Sequence, residues 1–287
     1  MHVWEADFYR RPFQDQLGHP LWELMVCDPT RTFSFSAMCP QSEANATWLA
    51  SQLQQAASSD KNLPERIQVF RPQCLSLMEV ACQSLKIGVE PTRRTFALKQ
   101  WLQERYAQGG AELAQQYPDI QYTGQFYQPL ELEKLPPLPL PEQLWGEQWR
   151  FASLPAAQVE ELFLNRPIPI LEMPKTLLPL HLGLASTLPV PGVVIDGGRQ
   201  SMRLARWLQA ASPVALSYIP GAPDGLILEA GLADRWVVAT FEDPEVTAAA
   251  QIYEQRKQLS QGLHFLLVQP DNSGMTYSGF WLLQMEA

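Results

Sequence analysis

Apolar and polar positions along this chain fall into two α+β patterns separated by a proline-rich interval. Val3–Tyr9, Pro20–Cys27 and Thr32–Met38 are short runs rich in β-branched and aromatic residues, joined by turn residues around Gly18 and Asp28-Pro29-Thr30. Connectors this short predict an antiparallel meander. Apolar spacing then predicts helices over residues 43–57 (Trp48, Leu49, Leu53, Ala56), 74–86 (Leu75, Met78, Val80, Ala81, Leu85) and 92–106 (Phe96, Leu98, Trp101, Leu102), with a strand at Ile67–Arg71. Near the C-terminus, strands are expected at 192–196, 213–218, 226–229 and 235–241. A helix is expected over 198–211, and a second after Asp243-Pro244-Glu245, a cap, a first-position proline and a first-turn acid. Two β-rich runs joined by Pro270-Asp-Asn-Ser-Gly274 close the chain.

The fold class expected is therefore α+β with two domains, each a mainly antiparallel sheet with helices. The opening order also fits the start of a ribonuclease-H-like layout, and the two halves are open to being distant duplicates of one fold. Leu135 to Pro141 carries four prolines in seven residues, which favours extended polyproline conformation. The expected division is residues 1–125, a linker over 126–145, and residues 146–287. Pro136-Pro137-Leu138-Pro139 is alternatively an SH3-type ligand. The apolar, proline-rich stretch 167–191 is expected to pack along a surface as ordered irregular chain.

Composition narrows the function classes. The 287 residues carry a net charge of −9, which argues against a general positive field for coating nucleic acid and leaves room for a local basic stripe. The four cysteines and four histidines show no zinc-ligand spacing, so no metal or other cofactor is expected. Few cysteines in a long chain suit a reducing compartment. No apolar run reaches membrane-span length and the start lacks a signal-peptide pattern.

Two basic features stand out. Arg199, Arg203 and Arg206 fall at i, i+4 and i+7 of a predicted helix whose other side is apolar, so three guanidiniums share a stripe beside the helix N-terminal amides. A solvated face paired with acids is the plainer explanation. Arg93 and Arg94 sit in the expected first turn of another helix, where they oppose its dipole unless an acid such as Glu90 or an anionic partner answers them. Period-two alternation in the last strand puts Tyr277, Gly279, Trp281 and Leu283 on one face, a candidate base-stacking platform or a piece of core. Leu282 points the other way. For catalysis, Glu5 and Asp7 share a face of the first strand and Glu23 lies in the second, without a recognisable metal-nuclease set. No nucleophile motif is present, so no catalytic residues are assigned.

Several segments together resemble one family, the plastid and cyanobacterial TAB-type factors that bind RNA for translation of the photosystem I reaction-centre subunit-B message. They are Trp4-Glu-Ala-Asp-Phe-Tyr-Arg-Arg-Pro12, Leu21-Trp-Glu-Leu-Met-Val-Cys-Asp28, Pro91-Thr-Arg-Arg-Thr-Phe96, Trp101-Leu-Gln-Glu-Arg-Tyr106, Leu144-Trp-Gly-Glu-Gln-Trp149, Gly262-Leu-His-Phe-Leu-Leu-Val-Gln269 and Gly279-Phe-Trp-Leu-Leu283. The resemblance implies RNA binding without catalysis, with Trp281, Leu282 and Leu283 matching a tripeptide tied to RNA binding. It implies single-stranded RNA, a messenger 5′ leader, as partner, alongside translation or photosystem-assembly proteins. With no transit peptide visible, a cytoplasmic cyanobacterial member is the expectation. The alternatives are a protein-interaction factor that never touches RNA, and a ribonuclease-H-like nuclease using Asp7 and Glu23.

Overall fold

The computed structural model describes residues 2–60, 62–107, 119–123, 128–130 and 136–285. The chain forms two compact units, Met1–Glu133 and Lys134–Ala287. Both are mixed α/β, as expected. Residues 126, 127 and 131–135 of the proline-rich interval lie outside the described residues. From Leu138 on, that interval belongs to the second unit: Leu138–Pro139 is a strand there, and Leu140 and Leu144 are core residues.

In the first unit, strands β1 (Val3–Asp15), β2 (Pro20–Cys27) and β3 (Ser34–Pro40) form the expected antiparallel meander. After helix α1 (Ala46–Asp60), β4 (Arg66–Val69) pairs parallel with β1, and after α2 (Pro72–Leu85), β5 (Gly88–Pro91) pairs parallel with β4. The order is β3-β2-β1-β4-β5, with β6 (Ile120–Tyr122) on the far end of β1. Helix α1 begins three residues later than the pattern suggests because Asn45 caps it, its Oδ1 accepting from Trp48 N at 3.0 Å. Trp4, Ala6 and Phe8 pack with α1 and α2. The opposite face of the sheet packs with α3 (Phe96–Tyr106).

That second face carries charge. Asp7 and Glu23 are fully buried, and such carboxylates need partners. Asp7 accepts from Arg71 Nε at 2.9 Å and Arg11 Nη2 at 3.0 Å. Glu23 accepts from Arg11 Nε at 3.1 Å, faces Arg105 Nη2 at 2.8 Å, and accepts from the Tyr106 hydroxyl at 2.6 Å. Burial alone would raise the Asp7 carboxyl, but Arg71 and Arg11 outweigh it and hold it below its usual range. The network ties β1 and β2 to α3 and to the residue that opens α2.

In the second unit, β8 (Gln148–Pro155), β10 (Pro189–Asp196), β14 (Leu263–Gln269), β15 (Gly279–Gln284) and β9 (Ile170–Glu172) form a sheet in that order. A second sheet runs β11 (Pro213–Ile219), β12 (Asp224–Ala230), β13 (Asp234–Phe241), β7 (Leu138–Pro139). Neither repeats the strand order of the first unit, so the halves are not alike in topology. The five-stranded sheet is covered on both faces. One face carries α4 (Ala156–Phe163) and the apolar segment 168–184, which packs against it as expected but is not all irregular, since Ile170–Glu172 is a strand and the expected stretch ends inside β10. The other carries α5 (Ser201–Ala211), α6 (Pro244–Leu259) and the second sheet. Burial on both sides explains why β14 and β15 read as almost continuous apolar runs.

The two sheets are tied by His264. Its Nδ1–H donates to Gly262 O at 2.8 Å, leaving Nε2 to accept from Leu216 N at 2.9 Å. Lys257 Nζ donates to Leu216 O at 2.8 Å. Burial, with Lys257 nearby, pushes the His264 imidazole down to about 3, so it stays neutral. No helix among the described residues is long and apolar enough to cross a membrane.

The buried network gives a stability prediction. Asp7→Ala removes the carboxylate that two buried guanidiniums share, so urea unfolding is expected to show a loss of about 3–5 kcal/mol; a loss below 1 kcal/mol contradicts this role. A second prediction concerns pH. Glu5 Oε2 accepts from Leu98 N at 2.7 Å, yet burial raises its carboxyl to about 7. A carboxyl protonated more readily when folded adds stability below its unfolded value and loses it as pH rises through about 7. Glu5→Gln is therefore expected to flatten the fall in stability between pH 5 and about 7.5, and an unchanged slope speaks against it.

Candidate nucleic-acid interface

Helix α5 is seated from beneath by the closing strand. Leu204, Ala205 and Leu208 pack with Trp281, Leu283, Leu266 and Val268. The Trp281 ring folds back over Gly279, where a Cβ would collide with it and come within 3.2 Å of the Ala205 methyl. Glycine at 279 thus lets the indole lie flat on its own strand and lets α5 approach. The indole is fully buried, and its Nε1–H has no hydrogen-bond partner among the described residues, so Trp281 acts there through shape and apolar area.

This corrects the stacking platform. Trp281, Leu282 and Leu283 are all buried, so none offers a ring face or side chain to a base. The period-two restriction holds, since Trp281 and Leu283 lie in one core and Leu282 in the other. Tyr277 does not share their face because the strand begins at Gly279. Its ring packs edge-on against Phe163 at 5.7 Å, with the Arg166 guanidinium 5.1 Å over it and bonded to its hydroxyl at 3.0 Å.

Of the expected stripe, Arg203 and Arg206 lie on the outer face of α5 and Arg199 just before it. Arg199, Arg203 and Arg206 are all exposed, and none forms an ion pair with an acid among the described residues. The helix proper starts at Ser201, and Arg199 lies in the turn two residues before it. The N-terminal end is less open to phosphate than the stripe suggests. Gly198, at φ +52°, lies against the Glu147 carboxylate, and Asp196 nearby is held by Arg150 at 2.6 Å and Gln269 at 2.7 Å. Phosphate oxygens are better served along the stripe than at the helix end.

Arg93 and Arg94 also need correction. Helix α3 starts at Phe96, so both precede it rather than oppose its dipole. Glu5 already takes a first-turn amide, and Glu90 pairs with Arg66 at 3.0 Å. The Arg93 carbonyl accepts from Lys99 Nζ at 2.5 Å, and Arg94 is exposed. These two residues belong to the first unit and the stripe to the second. The nuclease alternative loses its geometry, because Asp7 and Glu23 are committed to Arg11, Arg71 and Arg105 in the buried network.

Residues 3–105 match the family described as "RNA-binding protein Tab2/Atab2 N terminal", and residues 127–284 match its C-terminal domain. The chain belongs to the Tab2 family. It is similar to "Protein TAB2 homolog, chloroplastic" of Arabidopsis thaliana, 32% identical over 98% of this chain and 74% of that protein. The Zea mays protein of the same name is 32% identical over 98% of this chain and 70% of its own length. Among solved structures, an HTLV-2 integrase catalytic core covers 41% of this chain and 74% of its own, at 16% identity and a TM-score of 0.28. A likeness that slight carries no argument about this Tab2-family chain.

One surface residue had no role assigned from sequence. Trp145 is 58% exposed, and its Nε1–H donates to Leu140 O at 2.8 Å. Nothing in the local pattern marks it, because the bond that holds it depends on how the 140–145 segment turns.

The packing makes a direct prediction. Trp281→Ala empties a large volume beneath α5 and is expected to cost about 3–5 kcal/mol in denaturant titration. Trp281→Phe is expected to cost much less, because no indole hydrogen bond is lost. Equal losses for the two would contradict the packing role.

Proposed function

We propose that this protein binds single-stranded RNA along the outer face of α5 and, through a messenger 5′ leader, promotes translation of photosystem reaction-centre subunits, without catalysis. The observation that carries the reading is the stripe of Arg199, Arg203 and Arg206, exposed and without an acid partner among the described residues, on and just before a helix locked to the core from below. On a chain of net charge −9, three adjacent guanidiniums without acid partners are a local departure that suits phosphate. Membership of a family described as RNA-binding supports the same partner. The chloroplast relatives support the link to photosynthesis.

In this reading the closing Trp281-Leu282-Leu283 serves RNA indirectly, by holding the helix that carries the arginines. The absence of catalysis is proposed on the arginine-bound state of Asp7 and Glu23. Four buried, unpaired cysteines suit a reducing compartment, and the cytoplasm of a cyanobacterial cell is the proposed setting. Translation or assembly proteins complete the proposed partners.

Filter binding of a labelled single-stranded leader across a salt series tests the surface. Replacing Arg199, Arg203 and Arg206 with alanine is expected to weaken binding and make log K against log salt shallower by roughly 0.7 per lost phosphate contact. An unchanged slope would remove the stripe from the interface. A cell-free translation assay with a photosystem-subunit leader then reads the regulatory claim, which predicts higher output with the wild type than with the triple variant.

A further inference from the structure

Trp145 is the most exposed of the nine tryptophans, at 58%; the others are buried or half-buried. Exposed large aromatics in soluble proteins mark contact sites when they are held in place and set beside a second recognition feature. Both conditions are met. The Nε1–H bond to Leu140 O at 2.8 Å fixes the ring edge, and Leu140 and Leu144, both just before it in the chain, are core residues. The segment is itself tied down, with Leu140 N donating to Val237 O at 3.2 Å and Glu147 N donating to Asp196 O at 2.8 Å.

The second tie sets the location. Asp196 leads through Gly197 and Gly198 directly into Arg199, and the Glu147 carboxylate lies against Gly198. Trp145 therefore stands two residues from the chain that touches the start of the arginine stripe. Along the same helix, Trp207 lies about 40° round from Arg203 at 100° per residue. It is half-buried and packs edge-to-face on Trp236 at 5.3 Å. Trp236 pairs in register with Leu138, itself 58% exposed. Trp207, Trp236 and Leu138 thus form a second apolar patch at this helix.

We infer that Trp145 is a base-stacking residue, receiving an unpaired base of a single-stranded RNA whose phosphates lie on Arg199, Arg203 and Arg206. The inference rests on the RNA reading above and adds the requirement that the RNA be unpaired. An indole face accepts any base, but only a base that is free to leave its own stack. The acids Glu142 and Glu147 flanking Trp145 repel phosphate, so the strand runs with its backbone on the arginines and its bases turned toward the tryptophan.

The test uses the full chain with a fluorescein-labelled 20-nucleotide single-stranded RNA, and the same RNA annealed to its complement. Trp145→Ala is expected to weaken single-strand binding roughly fivefold to a hundredfold, as loss of one stacked base predicts. Its salt slope should match the wild type, because no phosphate contact is removed. Trp145→Phe, which keeps a ring, should stay within about threefold of wild type, and the duplex should bind wild type and Trp145→Ala alike. Far-ultraviolet circular dichroism should show every variant folded, since the side chain is exposed. Trp145→Ala binding like wild type, while the triple arginine variant is weakened, would overturn the stacking role and leave the RNA reading intact. No binding of either RNA by the wild type would overturn both.

Discussion

Helix α5 depends on one packing arrangement: an indole lying on the glycine of its own strand, beneath a helix whose inner positions are Leu204, Ala205 and Leu208. A helix of 11 residues is marginal alone in water, so its order comes from the apolar face it buries. Three like charges at the outer face and start of the helix resist close approach to one another and make no ion pair with an acid among the described residues. Seating from below lets the stripe persist in that state. A side chain that never meets solvent thereby governs what the surface presents.

The first unit solves the opposite problem. Carboxylates on a sheet strand are expensive to bury, and here they are buried because three arginines and a tyrosine converge on them. Such a network is a weak source of stability and a strong constraint on arrangement. It fixes where α2 begins and how α3 lies on the sheet. The same commitment of Asp7 and Glu23 leaves them without the open coordination that metal-assisted cleavage needs.

Local signals were readable in proportion to how local their causes are. The arginine register follows from 3.6-residue periodicity within 11 residues, and the cap of α6 from Asp243-Pro244-Glu245, whose Asp243 accepts from Glu245 N at 2.8 Å. The alternation of Trp281 and Leu282 between two cores likewise needs only the strand. Whether either face is covered is not local: Phe163 from α4 stacks on Phe280 at 3.9 Å, and α5 covers Trp281. The start of α3 was misplaced because its first-turn amide is taken by Glu5, 93 residues earlier. The pairing of Asp7, a candidate nuclease acid, could not be read locally because Arg71, one of its partners, lies 64 residues away. The proline-rich interval looked like a connector because nothing within it foretells that Leu138 pairs beside Trp236.

The central claim is that RNA lies on the outer face of α5, held there by a helix whose foundation it never touches. Photocrosslinking of 4-thiouridine-labelled single-stranded RNA to the purified protein, with the crosslinked peptides identified by mass spectrometry, reads this directly. The account predicts crosslinks within 199–211 and at 140–149, and none to the buried strand 279–284. Crosslinks confined to the first unit, or centred on Trp281, would contradict it.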